Sequence, residues 1–197
     1  MFEGVIFDLD GTVTKPYIDF PVLKRKIGIP PDQLILEHLA TLEGAQLERA
    51  TRILEDCERD AAENSVLNDH FREVWSYLKR QGIKTAILTR NSRTCVDMVM
   101  RKHRLSFDLV VTREDAPPKP SEAPVLLISR RLGIPPDKLL LVGDVKYDVW
   151  AGKAAGVKTI LLTNGKEPDP SAGADWTINS FRELIPILEK ERQKQEG

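Results

Sequence analysis

Two pairs of aspartates and one lysine are the side chains most able to do chemistry together. Asp8 and Asp10 stand one residue apart directly after an apolar run, and Asp144 and Asp148 follow another apolar run. Lys119 lies in a proline-rich segment between the two pairs. Carboxylates that are brought close together repel one another unless a cation neutralises them. Oxygen ligands with room for water favour Mg²⁺, which the acidic residues therefore predict as a cofactor.

The basic and hydroxyl groups of the same segments suit an anion. Lys119 and Thr89 are groups that bind an oxyanion such as phosphate. A metal, a carboxylate nucleophile and an anion clamp together suit phosphoryl transfer through an aspartyl-phosphate. A calcium loop starting at Asp8 is the alternative, but it would need glycine where Val13 stands and glutamate where Asp19 stands.

The elements that must position these groups are strands alternating with helices. Short, almost wholly apolar runs predict buried parallel strands at 5–8, 85–89, 109–111, 139–142 and 159–162. Helical patterns are predicted near 71–81, after Ser92, after Ser121, near 147–156 and after Ser180. The alternation implies right-handed crossovers and an α/β fold, a three-layer doubly wound parallel sheet. Ligands of such sheets bind beyond the carboxyl ends of the strands, where the acidic residues stand.

One segment interrupts this rhythm. Residues 15–66 are too long for a simple crossover, contain no convincing strand, and predict helices at 19–26, 31–42 and 44–64. We interpret them as a small helical cap inserted into a core of residues 1–14 and 67–197. The alternative is that the segment is a continuous part of the main core.

Composition excludes several classes of protein. The 197 residues are 41% hydrophobic and 30% charged, which is ordinary for a globular protein. With 29 basic and 30 acidic residues there is no electrostatic case for a nucleic-acid partner. No apolar stretch is long enough to cross a membrane, and the first residues lack the pattern of a secretion signal. Cys57 and Cys95 lack metal-ligand spacing, so we expect free thiols and a cytoplasmic location.

The motifs also carry a resemblance to a known family. The run Asp8-Leu9-Asp10-Gly11-Thr12 resembles the first motif of the haloacid dehalogenase (HAD) superfamily. Thr89, Lys119 and the run from Gly143 to Asp148 are similar to its second, third and fourth motifs, in the same order. The helical insert resembles the cap that phosphoglycolate-phosphatase-like members carry between their first two motifs.

The resemblance implies a role for each acidic residue. Asp8 would attack phosphorus and bind Mg²⁺. Asp10 would protonate the leaving alcohol and then activate water, and its backbone carbonyl would also meet the metal. Asp144 would bind the metal, and Asp148 would position Lys119 or a metal-bound water.

The remaining candidate residues would bind phosphate or support the site. The resemblance assigns phosphate binding to Thr89, Arg90 and Lys119. Gly11, Thr12 and Asn91 would support these groups, Gly11 because a tight turn must bring backbone near the phosphate. Many members have asparagine where Arg90 stands, whereas here Asn91 comes one residue later.

The predicted function is Mg²⁺-dependent hydrolysis of a small phosphate monoester, in a monomer or weak homodimer. A phosphomutase acting on a sugar phosphate shares the same motifs and stays an alternative. A regulatory phospho-acceptor or binding protein without turnover is the alternative from another class. Haloalkanoate dehalogenation is disfavoured because that branch does not keep the second acid, here Asp10.

Overall fold

Six parallel strands form the centre of the protein in a computed structural model that describes residues 1–196. The strands are β1 (Gly4–Phe7), β2 (Lys84–Leu88), β3 (Leu109–Val111), β4 (Leu139–Gly143), β5 (Lys158–Leu162) and β6 (Trp176–Ile178). Their spatial order is β3-β2-β1-β4-β5-β6, and every pair is parallel. The predicted doubly wound α/β fold is thereby confirmed.

The first five strands coincide with the apolar runs, and β6 was missed. Every residue of β1 and β4 is buried, as expected for strands covered on both faces. In β6 only Ile178 is buried, whereas Thr177 is exposed. A three-residue edge strand that is covered on one side does not show the continuous apolarity on which the prediction relied.

Within residues 1–196, eight α-helices accompany the sheet. They are α1 (Phe20–Ile27), α2 (Ile35–Leu39), α3 (Gly44–Asn64), α4 (Phe71–Arg80), α5 (Arg93–His103), α6 (Ala123–Leu132), α7 (Lys146–Ala154) and α8 (Leu184–Glu196). Among residues 1–196, no helix combines the length and apolar composition needed to span a bilayer.

The chain divides into two compact units. The first comprises Met1–Pro16, Val66–Arg90 and the chain from Leu105 onward, and contains the sheet. The second comprises Tyr17–Ser65 and Asn91–Arg104, so that α5 groups with the inserted helices. The predicted cap boundaries at 15 and 66 stay a prediction, and Gly197, included in the predicted core, lies outside the described residues.

The core of the first unit lies on both faces of the sheet. On one face, Ile6 and Leu141 cluster with Val125 and Ile128 of α6 and with Ala151 of α7. On the other face, Phe7 of β1 belongs to an aromatic cluster with Phe71 at the start of α4, Phe107 in the loop before β3 and Phe181 after β6. Side chains from both sides thus cover the sheet.

The second unit has its own small core. Leu23, Ile35, Leu39 and Leu54 are buried together, one or two from each inserted helix. Helices α1 and α3 match the predicted segments within one residue. The helix predicted over 31–42 is shorter, because the chain after Pro30 makes a turn and α2 begins only at Ile35.

Helix α5 joins this unit through polar contacts to the end of α3. Ser65 Oγ lies 2.9 Å from His103 Nε2, and Lys102 Nζ donates to the Glu63 carbonyl at 2.5 Å. Ser92 caps α5, accepting from the Cys95 N–H at 3.4 Å.

Candidate active site

Three carboxylates meet at the carboxyl edge of the sheet. Asp8 directly follows β1 and Asp144 directly follows β4, and these two strands pair in parallel register. Asp148 lies one helical turn further on, in α7. One carboxylate oxygen from each of these residues lies within 4.8 Å of the other two. The parallel pairing therefore converts two distant sequence motifs into one acidic cluster.

Lys119 lies inside this cluster. It is 2% exposed, and its Nζ is 2.5 Å from Asp8 Oδ1 and 2.5 Å from Asp148 Oδ1. The same Nζ donates to the Leu88 carbonyl at the end of β2, at 2.9 Å. A buried ammonium between two carboxylates is electrostatically tied to both, so its position is well defined.

The charges in this crevice shift one another's pKa. Burial raises the pKa of Asp8 to about 7, with Lys119 acting against the shift and Asp148 adding to it. Burial also raises the pKa of Asp144, and the Asp8 and Asp148 carboxylates raise it further. Burial alone would lower the pKa of Lys119, but Asp148 and Asp8 outweigh it and hold that pKa above its usual value. One ammonium thus faces more negative charge than it can balance.

Two glycines make room for the carboxylates. Gly11 has a φ of +83°, and a Cβ there would collide with the carboxylate of Asp144. A Cβ on Gly143 would collide with the carboxylate of Asp148. Close approach of a carboxylate is therefore a structural reason for glycine at 11, and the predicted approach of backbone to a phosphate stays a prediction.

The other predicted residues of the first motif lie beside this cluster. Thr12 is fully buried, and its Oγ1 donates to Asp144 Oδ1 at 3.4 Å. Asp10 is half-buried, and its backbone bridges to Thr14. The compact acidic group contains Asp148 rather than the side chain of Asp10, whose expected contribution to a metal is its backbone carbonyl.

The predicted phosphate-binding residues follow β2. Thr89 is buried, and its N–H donates to the Val111 carbonyl at 3.1 Å. The guanidinium of Arg90 donates to the Lys119 carbonyl, which ties the end of β2 to the lysine loop. Asn91 is 9% exposed and stands just before the cap of α5, in the second unit.

Two asparagines absent from the sequence prediction contact the loop of residues 8–14 that follows β1, here called the catalytic loop. Asn164 Nδ2 donates to the Gly11 carbonyl at 2.7 Å, and Asn68 Nδ2 donates to Asn164 Oδ1 at 2.8 Å. The pair Asn164-Gly165 is a recognisable turn signal, but Asn68 has no local signature.

The donor set fits a hard divalent cation. Among the described residues, one carboxylate oxygen each of Asp8, Asp144 and Asp148 lies within 4.8 Å of the other two, and the group includes no sulfur or imidazole. Burial raises the pKa of the Asp8 and Asp144 carboxyls and the neighbouring carboxylates raise it further, so a bound cation would favour their charged forms. All-oxygen coordination of this kind is what Mg²⁺ prefers.

Comparison with known proteins agrees with this geometry. The family model of haloacid dehalogenase-like hydrolases matches residues 21–162. An uncharacterized hydrolase of Saccharomyces cerevisiae is 34% identical over 95% of this chain and 91% of its own. A phosphoglycolate phosphatase of Pseudomonas putida is 26% identical over 92% of this chain and 78% of its own.

Solved structures share the fold. A hydrolase from Pseudomonas syringae has a TM-score of 0.78 at 20% identity, covering 95% of this chain and 98% of its own. The acidic cluster, the buried lysine and the parallel sheet thus occur in a chain whose sequence matches one family over most of its length. This chain belongs to the haloacid dehalogenase-like hydrolases.

Proposed function

We propose that this hydrolase is a Mg²⁺-dependent phosphatase that cleaves a small phosphate monoester through an aspartyl-phosphate. The observation that carries the proposal is the Asp8 carboxylate, held at the end of β1 by Lys119 and flanked by two further carboxylates. A carboxylate fixed beside a buried cation is suited to attack an electrophile that is itself negatively charged.

The reaction has two steps on the same residue. In the first, a carboxylate oxygen of Asp8 forms a bond to phosphorus, the ester P–O bond breaks, and Asp10 gives a proton to the leaving alcohol. In the second, Asp10 takes a proton from water, which attacks phosphorus and breaks the acyl-phosphate bond. Phosphate leaves and Asp8 is regenerated, so atoms and charge balance over the cycle.

The metal site is proposed on Asp8, Asp144 and the backbone carbonyl of Asp10. Mg²⁺ bound there would neutralise charge on the nucleophile and on the phosphate. Asp148 keeps Lys119 beside Asp8 through its 2.5 Å contact with Nζ.

The phosphate oxygens are proposed to bind Thr89 and Lys119. Thr89 stands at the end of β2, next to the strand that carries Asp8, and Lys119 already contacts that nucleophile. The Arg90 guanidinium donates to the Lys119 carbonyl, and we propose that Arg90 also binds phosphate.

The tether of the inserted helices supports the proposed substrate class. The chain leaves the catalytic loop and returns through a short ladder in which Lys15 N–H donates to the Val66 carbonyl at 2.8 Å. Asn68 N–H donates to the Val13 carbonyl at 2.9 Å in the same ladder. An insert whose two ends join the chain next to the catalytic loop is suited to govern access of substrates to Asp8. We therefore propose a small phosphorylated metabolite as the substrate.

The test is release of phosphate from a broad panel of phosphorylated metabolites, including pyrophosphate, with and without Mg²⁺. We expect many turnovers on at least one ester and none with Asp8→Asn, whereas the exposed control Asp137→Asn keeps wild-type rates. Conversion of a sugar phosphate to its isomer without phosphate release would favour the phosphomutase. A single phosphate retained per chain would favour the phospho-acceptor.

A further inference from the structure

We propose that Asn164 and Asn68 are positioning residues that hold the catalytic loop through the Gly11 carbonyl. The inference rests on the proposed function, because its consequence is the placement of Asp10 and Asp144. Both amides point at one carbonyl: Asn164 Nδ2 donates to it at 2.7 Å and Asn68 Nδ2 at 3.4 Å.

Asn164 belongs to a rigid turn at the end of β5. Asn164 and Gly165 have φ values of 54° and 78°, and the Lys166 N–H donates to the Thr163 carbonyl at 3.0 Å. Two consecutive residues with positive φ closed by this bond are typical of a type I′ turn. The Thr163 N–H donates to the Ile178 carbonyl of β6 at 2.9 Å, so the turn is bonded to the sheet. Glycine would accept this backbone equally well, but it would supply no amide.

Asn68 belongs to the segment that returns from the insert. Its Oδ1 accepts from the Asp69 N–H at 2.9 Å, which turns Nδ2 toward Asn164 and Gly11. Each amide therefore places its oxygen on a donor and its nitrogen on an acceptor, and the pair forms a directional chain of hydrogen bonds.

The held carbonyl lies where a small movement reaches two acids. Gly11 follows Asp10 in the chain and packs directly against the carboxylate of Asp144. Thr12, the next residue, donates to that same carboxylate. Rotation of the Gly11 peptide would therefore shift Asp10 and would also disturb the contacts of Gly11 and Thr12 with the Asp144 carboxylate.

The test uses two variants that keep the turn and remove the donor. Asn164→Gly allows the positive φ but has no side-chain amide. Asn164→Asp still accepts a hydrogen bond from Asn68, but it replaces the donor to the Gly11 carbonyl with a second carboxylate oxygen. Arg104→Gly is the matched control, because Arg104 is an exposed residue with φ 51° at the end of α5. Steady-state kinetics on an alkyl phosphate and an activated aryl phosphate, Tm, and hydrogen exchange of residues 9–14 are measured for each.

We expect both Asn164 variants to lose alkyl-phosphate turnover by about ten- to a hundredfold, since small misplacement of reacting groups costs that much. The aryl phosphate needs less help from an acid, so its loss should be smaller. KM and Tm should change little, residues 9–14 should exchange faster, and Arg104→Gly should match the wild type.

Wild-type rates in both Asn164 variants, or lost turnover without faster exchange of residues 9–14, would overturn the proposal. If the wild type hydrolyses no phosphate ester, the proposed function fails by itself. In that event unchanged exchange of residues 9–14 in the variants overturns the positioning role, and faster exchange supports it.

Discussion

Aspartate side chains lie at both ends of the parallel sheet, in surroundings of opposite character. At the amino end, Asp108 precedes β3 and accepts from the Thr85 N–H at 2.9 Å, from Thr85 Oγ1 at 3.1 Å and from Lys84 Nζ at 3.0 Å. At the carboxyl end, Asp8 and Asp144 face other carboxylates across a crevice that holds Lys119.

The arrangement at the amino end occurs twice. Asp175 precedes β6 and accepts from the Thr159 N–H at 2.9 Å, from Thr159 Oγ1 at 3.1 Å and from Lys158 Nζ at 2.7 Å. In both cases a Lys-Thr pair opens a strand, and the aspartate precedes the neighbouring parallel strand. Each of the two arrangements links the strands of one outer pair, β2 with β3 and β5 with β6, at the amino edge of the sheet.

The pKa shifts at the two ends have opposite directions. Partial burial would raise the pKa of Asp108, but the bonds from Thr85 and Lys84 outweigh it and hold that pKa well below its usual value. The pKa of Asp175 is lowered in the same way, against burial, by Lys158 and Thr159. Asp8 and Asp144 are shifted upward. An aspartate surrounded by hydrogen-bond donors has its charge satisfied and serves the fold. An aspartate that is buried among other carboxylates has charge left to bind a cation or to attack an electrophile.

The largest effect should come from Asp8→Asn. An amide is a poor nucleophile, so we expect turnover of a genuine substrate to fall by about four orders of magnitude while the protein still folds. Asp108→Asn, assayed well below its melting temperature, should keep wild-type kcat. Wild-type turnover in Asp8→Asn would remove Asp8 from the nucleophile role.

Removal of metal should have the next largest effect. Chelation should abolish activity and Mg²⁺ should restore it. Mg²⁺ at a hundredfold excess over its Kd should stabilise the wild type by about 2.7 kcal/mol, as measured by thermal unfolding. Asp144→Asn should show little of this shift, and Asp175→Asn should show all of it. Full activity in chelator, with no metal bound to the protein, would contradict the mechanism.

Asp108→Asn should destabilise the fold by about 1–3 kcal/mol at neutral pH, because donors aimed at a carboxylate lose their charged partner. The folded pKa lies below the unfolded value of about 3.9, so this contribution is complete above that value and is lost as the pH falls below it. Denaturant unfolding at pH 7 and near pH 3 measures the change. A difference between variant and wild type that stays constant with pH would show that the carboxylate charge is not responsible.

The smallest effect should have the opposite sign. In chelator at neutral pH, Asp144→Asn should be more stable than the wild type by about 1 kcal/mol, since it removes a carboxylate that is buried and that lies close to the carboxylates of Asp8 and Asp148. Because the folded pKa of Asp144 lies above its unfolded value, the wild-type protein loses stability as the pH rises from the unfolded pKa toward the folded one. Thermal unfolding of both proteins in chelator tests this, and a less stable Asp144→Asn would show that its hydrogen bonds outweigh the repulsion.

Much of the site was predictable because chemistry and strand signals coincide in short segments. Asp8 ends one continuous apolar run and Asp144 follows another, so their meeting required only the rule that parallel strands share a carboxyl edge. Lys119 was found by residue type and order, and the structure shows it bonded to Asp8. The short edge strand β6 and the late start of α2 were missed, because neither has a period that a local pattern can reveal.

The sequence by itself determined the fold class, the family and the acidic residues that gather at one edge of the sheet, since these depend on local apolarity and motif order. Only the tertiary structure decided which aspartates are poised and which are satisfied. Asp108 and Asp8 both lie beside a parallel strand, and the motif around Asp8 marks it as a candidate nucleophile, but no local pattern shows that Lys84 and Thr85 will satisfy Asp108. Their partners, Lys84 and Lys119, come from 24 and 111 positions away along the chain. A carboxylate's charge state depends on the groups within a few ångströms, and folding alone brings those groups together.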